Sequence, residues 1–283
     1  MNIKKELIKA KRINKTNPDK AFELYNELFE EHPEQFSERD INQYCWAIFQ
    51  SSYDSFKSCK LITSLTKQKK VEYDVYSASV VKVLKILDKN KDYIFMYYWL
   101  NLINPDLLIK SSRVRNGKLI ASNAQKYYTN ASKAYFYTKN YKRCIKVSEK
   151  SLNSDIDWID DGEYWQKFKI AQSLIRLNRF EEALNYLIEV ESVIKGNKIL
   201  MEFAEVYYGL GDFENALDCA LKLALRLRSN VKKENCLLLA KIIKEKNYII
   251  AEKHEELAFN PDKFNIKDFI IYWEDLKTGV RQL

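Results

Sequence analysis

Three short stretches of this chain share one pattern: "YTKNYKRCI" at 137–145, "RLNRFEEAL" at 176–184 and "GLGDFENAL" at 209–217. In the last, an apolar-periodic run containing Phe203, Ala204 and Tyr207 stops at Gly211, and a second run starts at once with Phe213, Ala216, Ala220 and Leu223. Each run repeats at helical spacing, so the pattern predicts two helices joined by a tight turn. Gly211 suits a left-handed helix end, and Asn178, in the same place thirty-three residues earlier, tolerates that backbone too. A small residue follows each aromatic three positions later: Cys144 after Tyr141, Ala183 after Phe180 and Ala216 after Phe213. Small residues there let paired helices approach closely, and a single pair cannot bury its apolar face alone. The chain is therefore expected to stack pair on pair. Only 6 glycines and 4 prolines in 283 residues agree with long helices and short connections rather than a sheet protein.

Looser copies extend the pattern. "CLLLAKIIKEKNYIIAEKHEELAF" continues it downstream, and "SASVVKVLKILDKNKDYIFMYY" and "QYCWAIFQSSYDSFKSCKLI" precede it. "NPDKAFELYNELFEEHPEQ" reads as the second helix of a pair, with Pro18 at its start and Pro33 as its stop. These residues resemble the tetratricopeptide repeat family, whose unit is a helix–turn–helix of about 34 residues. The resemblance implies an all-α, right-handed superhelical solenoid of about six to seven helix pairs. It divides the chain into degenerate pairs over 1–110, a basic insert at 111–124, a regular array over 125–260 and a capping helix over 261–283. The C-terminal segment, with Phe264, Phe269, Tyr272 and Trp273, is expected to cover the last pair.

Composition bounds the function. The net charge is +8, and residues 1–120 carry 21 basic and 15 acidic groups. Such an excess can serve nucleic acid, and "TKQKK" at 66–70 and the insert's Lys110, Arg113, Arg115 and Lys118 are the places for it. Five cysteines, none closer than fourteen residues to the next, form neither a disulfide framework nor a zinc pattern. They fit reduced, buried thiols and a cytoplasmic setting. The basic N-terminus has no apolar run of the signal-peptide kind, and "YIFMYYWLNLI" is too short to span a bilayer. No membrane partner is expected. Two inserts, 106–120 and 153–163, are expected to be surface loops, one basic and one acidic around Trp158.

No catalytic set, metal-ligand spacing or cofactor motif is found. His32 and His254 are expected to be structural, and no HExxH, CxxC, GxSxG or phosphate-binding loop occurs. Binding remains. In the family resembled, the first helix of each pair lines a concave groove. Here that face reads Lys126, Lys133 and Phe136, then Trp165, Phe168, Gln172 and Arg176, then Lys198, Met201, Glu205 and Tyr208, and finally Lys233, Cys236 and Ile243. This mixture of aromatics and cations suits a peptide or amphipathic helix. The expected function is a non-enzymatic interaction scaffold for a protein or peptide partner, and a homo-oligomer is a further expectation. The alternatives are a nucleic-acid-binding helical repeat using the basic N-terminal region, and a peptide-sensing regulator or defence component.

Overall fold

The computed structural model describes residues 2–68, 73–227, 233–244 and 246–279. Lys69 and Lys70 of the basic "TKQKK" run lie outside the described residues. Among the described residues, fifteen α-helices form, together with one short β-hairpin. They divide into two compact units, residues 1–162 and 163–283.

The first unit holds four helix pairs: α1 (Ile3–Ile13) with α2 (Pro18–Glu31), α3 (Glu38–Gln50) with α4 (Ser55–Gln68), α5 (Tyr73–Lys89) with α6 (Tyr93–Leu100), and α7 (Asn123–Tyr137) with α8 (Tyr141–Leu152). First-position helices pack side by side, α3 on α5 and α5 on α7. The second unit holds three pairs: α9 (Gly162–Ile175) with α10 (Phe180–Glu191), α11 (Asn197–Gly209) with α12 (Phe213–Leu227), and α13 (Lys233–Ile243) with α14 (Tyr248–Phe259). A last helix, α15 (Ile266–Thr278), packs against α12.

One turn closes four of these pairs. Lys91, Lys139, Asn178 and Gly211 all have positive φ, between 55° and 80°. In each case the following residue donates its N–H to a carbonyl five residues back: Asp92 to Leu87, Asn140 to Tyr135, Arg179 to Leu174 and Asp212 to Tyr207, at 2.8–3.0 Å. This is the bond of the Schellman helix end, which satisfies a carbonyl the helix leaves orphaned. Beyond the turn, Ala183, Ala216, Ala220 and Ala251 are buried at the crossings, as the small-residue pattern predicts. Gly209 shows how close the helices come. A Cβ there would lie 2.5 Å from three ring carbons of Phe180.

The basic insert is not a loop. Arg113–Arg115 (β1) pairs antiparallel with Lys118–Ile120 (β2) across Asn116 and Gly117, both with positive φ. That is the backbone of a type I′ turn, which Asn-Gly favours. The acidic insert is not a free lip either. The Asp157 carboxylate accepts from the Ser112 N–H and hydroxyl, and the Asp157 N–H donates to Lys110 O at 3.1 Å. The Gln125 side chain meets both backbone groups of Ile159, at 2.9 and 3.1 Å. Trp158 packs against the first unit's core, and a Cβ on Gly162 would strike its ring and Gln125. The two inserts thus fasten each other.

The C-terminal helix caps its unit through one polar pair. Trp273 is fully buried and donates Nε1–H to His254 Nε2 at 2.9 Å, while His254 Nδ1 lies 2.8 Å from Ile250 O. Both ring nitrogens are engaged, so the imidazole is held neutral, and burial pushes its pKa down. The buried thiols of Cys45 and Cys59 are likewise held up, at about 12 and about 11, by burial. That makes them poor nucleophiles.

Two outcomes are expected. Gly209→Ala, which in an ordinary helix gains about 1 kcal/mol, should here lose roughly 1–2 kcal/mol in urea unfolding because the new methyl meets the Phe180 ring. His254 has a folded pKa below its unfolded value, so its contribution is present above the unfolded pKa of about 6.5 and is lost as pH falls below it. His254's share of the melting temperature should therefore shrink between pH 7.5 and 5, so the gap between the native chain and His254→Gln should be widest at pH 7.5 and close toward pH 5.

Candidate peptide-binding groove

In the second unit the first-position helices α9, α11 and α13 border an open cavity of about 730 Å³. Helical spacing places its walls. Met201, Glu205 and Tyr208 lie on one face of α11, at i, i+4 and i+7. Arg176 comes from the end of α9, and Leu237 and Lys241, at i and i+4, from α13. Phe180 and Phe213, the aromatics that open α10 and α12, close the wall behind the turns. None of the lining residues belongs to α15, so the last helix does not fill this cavity.

The walls are apolar with charges set in pairs. Tyr208 meets Phe213 edge-on at 5.6 Å, and the Lys241 ammonium stands 4.4 Å above the Tyr208 ring. Such a cation over an aromatic face contributes about 0.5–1 kcal/mol at an exposed site. Arg176 forms an ion pair with Glu205. Beside them runs a chain of side-chain bonds: Lys169 Nζ donates to Gln172 Oε1 at 2.7 Å, and Gln172 Nε2 donates to Glu202 Oε1 at 2.6 Å. Glu202 is only 6% exposed, and its Oε2 has no hydrogen-bond partner among the described residues. Burial pushes its carboxyl pKa up; the Gln172 bond opposes this, and Glu205 adds to it.

The expected groove residues part ways here. Arg176, Met201, Glu205 and Tyr208 come together at the cavity. Trp165 is 38% exposed, with the Lys198 ammonium 5.2 Å over its ring. Gln172 is turned to Glu202 rather than left open. Phe168 is 2% exposed and belongs to the core, against which Trp165 sets its edge at 5.9 Å. On α13 the expected face is one residue out of register: Cys236 and Ile243 are buried, whereas Glu234, Leu237 and Lys241 line the cavity. In the first unit Lys133 pairs with Asp88 at 2.9 Å, tying α7 to α5, and Lys126 and Phe136 are half-buried. Lys110, Arg113, Arg115 and Lys118 are exposed at the hairpin, where the register puts Arg113, Arg115 and Lys118 on one face. Phe180, Phe213 and Leu237 were not expected, although the aromatic after each turn is visible in the repeat. Among the described residues no cluster of histidine, cysteine and carboxylate groups could hold a metal ion, and no helix is long and apolar enough to cross a membrane.

No protein-family model matches the chain, and no curated protein matches it significantly. Solved structures similar in chain path include MamA of MSR-1, at 16% identity over 67% of this chain and 98% of that one, with a TM-score of 0.48. Pseudomonas aeruginosa PilF matches at 14% identity over 87% of this chain and all of its own, with a TM-score of 0.41. Bacillus thuringiensis PlcR, solved with the peptide PapR7 and DNA, matches at 13% identity over 88% and 96%, with a TM-score of 0.41. The repeat architecture rests on this chain's own turns and crossings, which make it a tandem array of helix–turn–helix pairs.

Glu202 supplies a stability test. A carboxyl whose folded pKa is raised favours the fold while protonated, and that benefit is lost as pH rises through the folded pKa. Glu202→Gln keeps an acceptor for Gln172 and removes the ionisation. It should raise the melting temperature by a few degrees at pH 7.5, where about 1 kcal/mol corresponds to roughly 2–4 °C for a protein of this size, and leave it unchanged near pH 4.

Proposed function

We propose that this protein is a non-enzymatic interaction scaffold whose second unit takes an apolar or amphipathic peptide, or a partner's helix, in the cavity bordered by α9, α11 and α13. One observation carries the reading. Met201, Tyr208, Phe213 and Leu237 present apolar surface to an open cavity that the chain's own last helix leaves empty. Aromatic and methionine side chains that reach a concavity, here Phe213 exposed and Met201 and Tyr208 half-buried, mark interaction sites. Arg176, Glu205, Glu234 and Lys241 at the same walls can orient a charged end or fix the register of an amphipathic segment. Tyr208, between Phe213 and Lys241, is the expected energetic centre.

Selection from a random 12-residue peptide library on the immobilised full chain tests this. Enriched peptides should carry apolar or aromatic anchors at helical spacing. Tyr208→Ala with Met201→Lys should weaken them at least about 10-fold, as loss of a central anchor does, without changing the circular dichroism spectrum. No enrichment, or equal binding to the double variant, defeats the reading.

A further inference from the structure

All of the net charge lies in the first unit: residues 1–162 carry 28 Lys and Arg against 20 Asp and Glu, whereas residues 163–283 carry 19 of each. Helices α5 and α7 together carry five lysines, Lys82, Lys85, Lys89, Lys126 and Lys133, against two aspartates. Helix α7 has no acidic residue, α3 has none after Asp40, and α5 has only Asp74 and Asp88, near its two ends. Asp88 is taken up by Lys133. Among the described residues no ion pair involves Lys82, Lys85, Arg113 or Lys126.

Packing brings these cations together with two aromatics. Trp46, half-buried on α3, borders a cavity of about 480 Å³ with Gln43, Gln50 and, from α1 and the turn after it, Lys11, Asn14 and Lys15. Trp46 meets Phe49 edge-on at 5.8 Å. The Lys82 ammonium of α5 stands 5.1 Å over the Phe49 ring. Lys85 follows Lys82 by three residues on the same helix, and α5 packs on α7, which carries Lys126. Burial holds the Lys126 pKa below the usual lysine range, and the neighbouring Arg113 and Lys85 cations add to this. Lys85 and Lys126 thus stand on packed helices, and Arg113 enters from the hairpin whose base meets the start of α7, where Ala124 N–H donates to Ile109 O at 2.9 Å.

We propose that this face of the first unit binds single-stranded nucleic acid. The phosphodiester backbone would run over Lys82, Lys85, Lys126 and Arg113, and a base would lie against Trp46 between Lys11 and Lys15. A phosphate there would meet cations from two packed helices and the hairpin. Stacking on an aromatic platform inside a basic groove is the chemistry by which single strands are held without sequence readout. An acidic polymer would be drawn to the same cations but has no ring to stack on Trp46, and a duplex hides its base faces. The Asn-Gly hairpin has a positional role, because its base is tied to the start of α7, the helix that carries Lys126. This site goes beyond the peptide reading and shares no residue with it.

Fluorescence anisotropy of a labelled 12-nucleotide oligo-U or oligo-dT with the full chain tests the proposal. Binding is expected at 50 mM salt, with a logarithmic salt slope of about −2 to −3 for three or four phosphate contacts. Lys85→Glu with Lys126→Glu should weaken it at least 10-fold. The milder Lys85→Gln with Lys126→Gln should weaken it less and flatten the slope. Trp46→Ala should weaken it about 10-fold with the slope unchanged. Lys267→Glu with Lys277→Glu, and the Tyr208 variant above, should leave it intact. Absence of binding at 50 mM salt overturns the proposal. So does poly-glutamate binding as tightly as the oligonucleotide with Trp46→Ala without effect.

Discussion

The close approach of two helices at a small residue, locked by a left-handed turn, is the interaction from which the rest of this molecule follows. The six-to-one bond after Lys91, Lys139, Asn178 and Gly211 reverses the chain in the space of two or three residues. It sends the second helix back along the first, and in three of the four pairs a small buried residue, Cys144, Ala183 or Ala216, lets the two nest. Lysine pays a steric cost in that backbone which glycine does not. That three non-glycine residues still adopt it shows how strongly the packed pair determines the turn. Nested pairs remain apolar on their outer faces, and only serial stacking covers them.

Stacking has a second consequence. It lines up the first helix of each pair, so residues tens of positions apart in sequence share one surface. In the second unit this creates an apolar cavity with paired charges, and in the first unit a face rich in cations with aromatic neighbours. The two units have the same architecture and different surface chemistry. Their net charges differ by the whole +8 of the chain. A helical repeat can change its faces in this way because the residues that specify nesting occupy different helix positions from those that face outward.

The departures from the repeat are structural fasteners as much as surface. Gln125 grips the backbone at Ile159, Asp157 grips the base of the hairpin, and Trp158 is drawn into the core. The segment richest in carboxylates therefore serves to bind the fourth pair to the insert before it. The buried Trp273–His254 bond does the same for the last helix, giving the indole N–H the partner that burial demands. Both fasteners satisfy polar groups that would otherwise be costly to bury.

The sequence by itself determined the helix pairs, their turns and the small residues at their crossings, because those depend on local backbone preference and a spacing that one helix face must repeat. It also carried a hairpin signal, Asn116-Gly117 between "RVR" and "KLI", whose reading as a loop overlooked the turn chemistry. Tertiary structure alone decided the surfaces. Trp165 and Phe168 sit three residues apart on one helix, and only the packing of neighbouring helices exposes the first and buries the second. The burial of Glu202, the one-residue register on α13, and the packing of α5 on α7, which carry Lys85 and Lys126 forty-one positions apart, were equally hidden. A helical wheel states which residues share a face, and the neighbours that cover or complete that face are chosen by long-range packing.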